Sequence, residues 1–102
     1  TFSGEATYYN LGLTACGQTY TDSDMVAAIS FPLFNRDSPA NPNLAPSCGK
    51  KIKVMRGGKS VVVQIRDKCE ACKEYDVDLS PAAFNQLGVE QEGRFPITWQ
   101  YL

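Results

Sequence analysis

Between positions 66 and 84 the chain reads RDKCEACKEYDVDLSPAAF, five acids and two cysteines crowded ahead of a helix start. Asp76 and Asp78 flank Val77 on a segment that alternates like a strand. Val77 and Leu79 then share one face, and the two aspartates share the other, toward a groove or solvent. Arg66 ends a valine-rich run, so Asp67 is expected where that strand leaves the core. If the two strands lie near each other, Asp67 and Asp78 flank one cleft. Two carboxylates across a cleft are the equipment of glycoside hydrolysis, one as acid and the other as base or nucleophile. The same residues also fit a structural role. Asp78 can cap amides near the helix start, where its charge is favourable, and Asp67 can cap a turn. Residue types alone leave both open.

Four cysteines and no histidine accompany these acids. An even number of cysteines in a short chain favours disulfides and an oxidising compartment, so the protein is expected to be secreted. Zinc would need all four thiolates, and Cys16 and Cys48 do not form a second CxxC beside Cys69 and Cys72. A redox CxxC opens a helix, whereas acids and an extended segment follow this one. The expected pairs are Cys16–Cys48 and Cys69–Cys72, with no metal or cofactor. The first closes a loop of about 33 residues and contributes roughly 3–4 kcal/mol in the chain-entropy view. The second pins a turn.

The elements that must position these groups are short. The chain has 102 residues, which fits one domain over 1–102, and a net charge of −1, which favours neither nucleic acid nor an anionic membrane. No apolar run approaches the length needed to span a bilayer, and nothing points beyond a monomer. The first residue is Thr1, so a processed N-terminus is expected. Residues 4–9 (GEATYY) read as a strand, 10–17 as a loop and 25–30 (MVAAIS) as a second strand. Residues 35–47 (NRDSPANPNLAPS) read as a long loop, stapled by Cys48. Residues 51–54 and 60–66 form a hairpin around Gly57-Gly58, with Ile52, Val54, Val61, Val63 and Ile65 toward the core. Ser80 caps a short helix that begins with Pro81 and stops at Gly88, with Phe84 and Leu87 inward. Residues 96–102 (PITWQYL) form a last strand with Ile97, Trp99 and Tyr101 on one face. Many short strands with one helix imply a closed β-barrel or a small α+β fold.

Several stretches, taken in order, resemble a known family. They are GEATYY at 4–9, Ala15-Cys16-Gly17, Asn41-Pro42, SCGKKI at 47–52, GKSVVV at 58–63, Arg66-Asp67-Lys68-Cys69 with Cys72, and DLSPAAF at 78–84. Together they resemble the single-domain, expansin-related double-psi β-barrel proteins, in particular the fungal loosenins, over residues 4 to 101. The resemblance implies a six-stranded, disulfide-stapled barrel with short helical elements and an open groove. It implies binding to structural polysaccharides such as cellulose or chitin, and loosening of their networks without clear hydrolysis. Asp78 falls at the family's groove aspartate, the acid-like candidate. Asp67 falls at the second groove aspartate and Thr7 at the groove threonine. The chain departs from the family where Cys69 replaces an aromatic or histidine motif. It also shows no counterpart of the base aspartate of related endoglucanases, nor of the second, cellulose-gripping domain of expansins. Some relatives on this barrel inhibit cysteine proteases, which makes 35–47 a candidate contact loop. Weak glycoside hydrolase or lytic transglycosylase action is the remaining alternative.

Among the aromatics, Tyr9 shares a face with Thr7 and is the first candidate to stack on a sugar ring, which leaves Tyr8 inward. Tyr75 is a candidate for the groove rim. Trp99 is either a groove residue or, with Tyr101, part of the core beside Ile97. Lys50, Lys51, Lys53, Arg56 and Lys59 make the hairpin basic. That face is either solvated or a contact for acidic wall polymers.

Overall fold

The computed structural model describes residues 1–36 and 46–102. Six strands, β1 (Phe2–Tyr8), β2 (Val26–Ser30), β3 (Lys51–Arg56), β4 (Lys59–Cys69), β5 (Val77–Leu79) and β6 (Phe95–Tyr101), close into a barrel in the order β1-β5-β2-β4-β3-β6. Helix α1 (Phe31–Asn35) follows β2, and helix α2 (Pro81–Leu87) follows β5. The β1–β5 and β2–β4 contacts are parallel and the other four are antiparallel. Parallel neighbours cannot be joined by a tight turn. The chain therefore leaves β1, builds three other strands, and returns beside it as β5.

The hairpin forms as its alternation requires. Gly57 takes φ 58° at the turn, a conformation that disfavours side chains. Ile52, Val54, Val61, Val63 and Ile65 all face the core. In α2, Ser80 Oγ accepts from the Ala83 amide, and Phe84 and Leu87 are buried. The helix stops at Gly88, but not through a left-handed cap, since Gly88 is extended. A Cβ there would instead strike the Glu92 carboxylate, the Arg56 guanidinium and the Phe95 ring.

Four expectations need correction. Trp99 is fully buried, and its indole N–H donates to the Tyr75 carbonyl at 2.9 Å, so it belongs to the core and not to a groove. Asp76 does not share the open side with Asp78. It is buried, accepts from the amides of Glu5 and Lys73, and lies 3.7 Å from Arg94. Strand β4 runs three residues past Arg66, to Cys69. Helix α1 was not foreseen, although its signal resembles that of α2: Ser30 Oγ accepts from the Leu33 amide, and Pro32 lies in the first turn. Most of the 35–47 loop lies outside the described residues.

Both expected disulfides are formed, Cys16–Cys48 and Cys69–Cys72. At the N-terminal end of β1, Phe2 stacks on Tyr75 with ring centroids 4.8 Å apart and packs against Trp99 and Tyr101. Gly4 permits this arrangement, because a Cβ on it would lie 2.0 Å from the carbonyl oxygen of Tyr75.

Candidate functional site

Strand register brings the candidate groups together. Thr7 on β1 pairs with Asp78 on β5, Asp78 pairs with Ala28 on β2, and Ala28 pairs with Asp67 on β4. These four residues form one row across four neighbouring strands. Ala27 and Ile29 face the core, so Ala28 lies on the outer side, and its single methyl puts no bulk between the two aspartates. At the usual strand spacing the Asp67 and Asp78 backbones are about 10 Å apart.

Asp67 reaches this row only because the ladder is irregular. Plain alternation after Val61, Val63 and Ile65 would turn Asp67 inward. The β2–β4 register instead steps from Ala27↔Ile65 to Ala28↔Asp67, skipping Arg66. One extra residue on one strand is a β-bulge, which re-aims the side chains that follow it. Asp67 thus emerges on the same side as Asp78.

The two carboxylates then differ in what they touch. Asp67 Oδ1 accepts from the amides of Ala15 and Lys68, each at 2.9 Å, and Oδ2 accepts from the Tyr9 hydroxyl at 3.2 Å. The Tyr9 amide donates to the Leu79 carbonyl, extending the β1–β5 ladder. Its side chain starts beside β5 and ends on β4, so the ring crosses the row between them. Burial, the charge and hydrogen bond of Asp67, and the charge of Asp78 push the ionisation of this phenol far above its ordinary range. Tyr9 therefore remains a neutral donor to Asp67, with oxygen lone pairs to spare.

Asp78 Oδ1 accepts from the Thr7 hydroxyl at 2.8 Å. Its other oxygen has no partner among the described residues, where Arg66 Nε is the one buried side-chain polar atom left without one. Asp78 Oδ2 is therefore open to a ligand. Burial raises the pKa of Asp78, and repulsion from Asp67 adds to this; the Thr7 bond and the charge of Arg94 oppose it. The row thus offers a hydroxyl-bearing ligand three acceptors, on Asp78, Thr7 and Tyr9, beside an aromatic ring.

The structure brings Thr7, Tyr9, Asp67 and Asp78 together, and it does not bring Tyr75 or Trp99 to them. The Tyr75 ring stacks on Phe2, five residues along β1 from Thr7, or roughly 16 Å at strand rise, and its carbonyl lies against Gly4, three residues from Thr7. Two participants had no sequence signal. Ala28 is an ordinary strand alanine, and the Ala15 amide sits in a loop. That loop is braced on many sides. Asp22 accepts from the Leu11 amide and the Asn10 side chain, the Cys16 amide donates to the Arg66 carbonyl, and Cys16 is bonded to Cys48. Leu13 stands out from it, 78% exposed.

Comparison with known proteins agrees with this architecture. The family model described as lytic transglycolase, a double-psi β-barrel, matches residues 1–99. The chain is 36% identical over 103 residues to a papain inhibitor of Streptomyces mobaraensis, covering 98% of this chain and 71% of that protein. The solved Streptomyces papain inhibitor superposes with a TM-score of 0.91 at 34% identity, covering 99% of this chain and 93% of the other. An allergen Asp f 7 homologue of Arthroderma benhamiae is 32% identical over 114 residues, but this chain spans only 38% of its length. An expansin of Clavibacter michiganensis superposes with a TM-score of 0.80 at 29% identity, over 98% of this chain and 49% of that one. An aspartate-to-asparagine variant of that expansin, solved in complex with cellohexaose, gives 0.81 at 27% identity, again over 98% and 49%. With its closed six-stranded barrel and a family match over nearly its whole length, the chain belongs to the double-psi β-barrel family, with expansin-like and papain-inhibitor neighbours.

Proposed function

We propose that the row Thr7–Asp78–Ala28–Asp67, with Tyr9 lying across it, binds structural polysaccharide outside the cell. In the manner of a loosenin, the protein would loosen glycan networks rather than cleave them. One observation carries the reading: the two aspartates are unequally committed. Asp78 keeps an oxygen open to a ligand, whereas Asp67 already serves three protein donors. Hydrolysis needs a second carboxylate free to activate water or attack the sugar. Asp67 already has three donors on its roughly four acceptor positions, which leaves it little capacity for that role. Displacement needs only acceptors that compete for the hydroxyls joining one glycan chain to another, and Asp78, Thr7 and Tyr9 supply them. The expansin variant solved with cellohexaose, about half of whose chain this one spans, supports a glycan as the class of ligand.

The test is sedimentation on insoluble cellulose and chitin, with the supernatant analysed for released sugar and the polymer for loosening. Binding without release is expected. Asp78→Asn should keep its fold, bind several-fold more weakly and lose loosening, because the oxygen is kept for the Thr7 hydroxyl and the open acceptor becomes an NH2 donor. Sugar release that disappears in Asp78→Asn would make this an enzyme instead.

A second reading, inhibition of cysteine proteases, is favoured by the papain inhibitor's match over nearly the whole of both chains. The braced loop that holds Leu13 out to solvent gives it a contact element with little ordering left to lose on binding. Full papain activity in the presence of excess protein would exclude it.

A further inference from the structure

The ten cations and eleven acids of this chain are not mixed along it. Residues 38–66 hold six cations and no acid. Strand β3 and β4 as far as Arg66 come from this stretch, so the asymmetry becomes a surface. On the outer side of the sheet, Lys53 pairs with Val62 on β4 and with Gln100 on β6. Met55 pairs likewise with Ser60 and Thr98, and Lys51 pairs with Gln64. The inner partners of these residues, Ile52, Val54, Val61, Val63, Ile97 and Trp99, are all core. The outer face therefore carries Lys51 and Lys53 amid amides, hydroxyls and the half-exposed Val62. Lys50 is adjacent, its ammonium 5.5 Å from the centre of the Tyr101 ring.

Most of these charges meet no acid among the described residues. Among the described residues, Arg56 is the one hairpin cation in an ion pair, with Glu92 at 2.7 Å. Glu92 also feels the charge of Lys59. Lys50, Lys51 and Lys53 have no acidic partner among the described residues, and the aspartate row, on β1, β5, β2 and the C-terminal end of β4, shares only that strand with this face.

We propose that the outer face of β6, β3 and β4 is a second binding surface, for a carboxylate-bearing polysaccharide. The choice of a glycan rests on the polysaccharide reading of the aspartate row. Charge complementarity sets the sign of the partner, and the chemistry between the lysines sets its density. Gln100, Thr98 and Ser60 can bond hydroxyls, and Val62 can meet the apolar side of a sugar ring. Between Lys51 and Lys53 the face presents amides, hydroxyls and Val62 rather than aromatic rings on which bases could stack, which favours a glycan over a nucleic acid. With both surfaces occupied, one molecule would hold a neutral and an acidic polymer at once.

The experiment compares retention of the protein on immobilised polygalacturonate, on the same polymer fully methyl-esterified, and on single-stranded DNA, with cellulose sedimentation run in parallel. Wild type should be retained by polygalacturonate and much less by the ester, and added salt should release it, because exposed charges are screened within about 10 Å at 0.1 M. The double variant Lys51→Glu/Lys53→Glu should lose about tenfold or more in affinity, since each reversal removes an attraction and adds a repulsion. Lys51→Gln/Lys53→Gln should fall between, and both should sediment with cellulose as wild type does. Equal retention on acid and ester, indifference to charge reversal, or preference for DNA would overturn the proposal while cellulose binding kept the groove reading intact. Loss of cellulose binding by the wild type as well would overturn both.

Discussion

Asp67 is the residue whose replacement separates a structural carboxylate from a catalytic one. It accepts the amides of Ala15 and Lys68 on one oxygen and the Tyr9 hydroxyl on the other. A hydrogen bond to a charged group contributes about 1.5–3 kcal/mol, and the full set is not additive because water reaches part of the site. Asp67→Ala leaves three donors without their acceptor and should cost about 3–4 kcal/mol. For a domain of this size each kcal/mol moves Tm by about 4–8 °C, so a fall of roughly 12–30 °C is expected. Asp67→Asn keeps one oxygen for the two amides and turns its amide toward Tyr9, whose hydroxyl can rotate to accept. Its cost should be about 1 kcal/mol. Thermal melts followed by circular dichroism, with disulfides intact, measure both. A base whose role was only chemical would give two variants of equal, near-wild-type stability. Asp67→Ala within about 1 kcal/mol of wild type would therefore refute the bracing argument.

Four further outcomes follow from the same geometry. Gly4→Ala should destabilise by about 2–4 kcal/mol in chemical denaturation, because the new methyl displaces the Tyr75 carbonyl and with it the acceptor of the Trp99 indole. Tyr9→Phe should cost about 1–2 kcal/mol, and glycan binding should weaken more than the ring's retained stacking surface alone would imply. Removing the long-range bridge in Cys16→Ser/Cys48→Ser should cost about 3–4 kcal/mol, read as a lower urea midpoint. Asp78→Asn should raise Tm at neutral pH. The folded-state pKa of Asp78 lies above its unfolded value, so its contribution is fully present in acid and is lost as pH rises through the folded pKa. The gain from Asn should therefore shrink toward zero below the ordinary aspartate range, and a gain independent of pH would contradict the assignment.

Much of the barrel is legible in the chain because its strands are covered on one side. Where one face meets the core and the other meets water, a period of two is forced on the residues, as along 51–54 and 60–65. Both ends of α2 were equally plain, since Ser80 and Pro81 act through bonds within four residues. Strand β2 is different, being buried along its whole length. Its run of small and branched apolar residues says that it is central without saying which side faces the barrel interior. Trp99 was ambiguous for the opposite reason. Alternation put it on a face, but only closure of β6 against both β1 and β3 decides that this face is sealed.

The candidate row was half legible, and the division follows from how each aspartate is placed. Asp78 lies between two core residues on a strand of three, so alternation alone turns it outward. Asp67 breaks that rule. It has the inward parity of Val63 and Ile65, and a skipped partner in the ladder reverses it. No residue type in QIRDK marks the skip; Arg66 could sit in a regular strand as easily as in a bulge. The bulge also explains why Asp67 is so fully committed. A residue turned out of register carries its flanking amides with it, and Lys68, the next in the chain, donates back to Asp67's own carboxylate. The device that brings the second carboxylate beside the first is thus the one that occupies most of its acceptor positions, which leaves Asp78 as the carboxylate with an open oxygen.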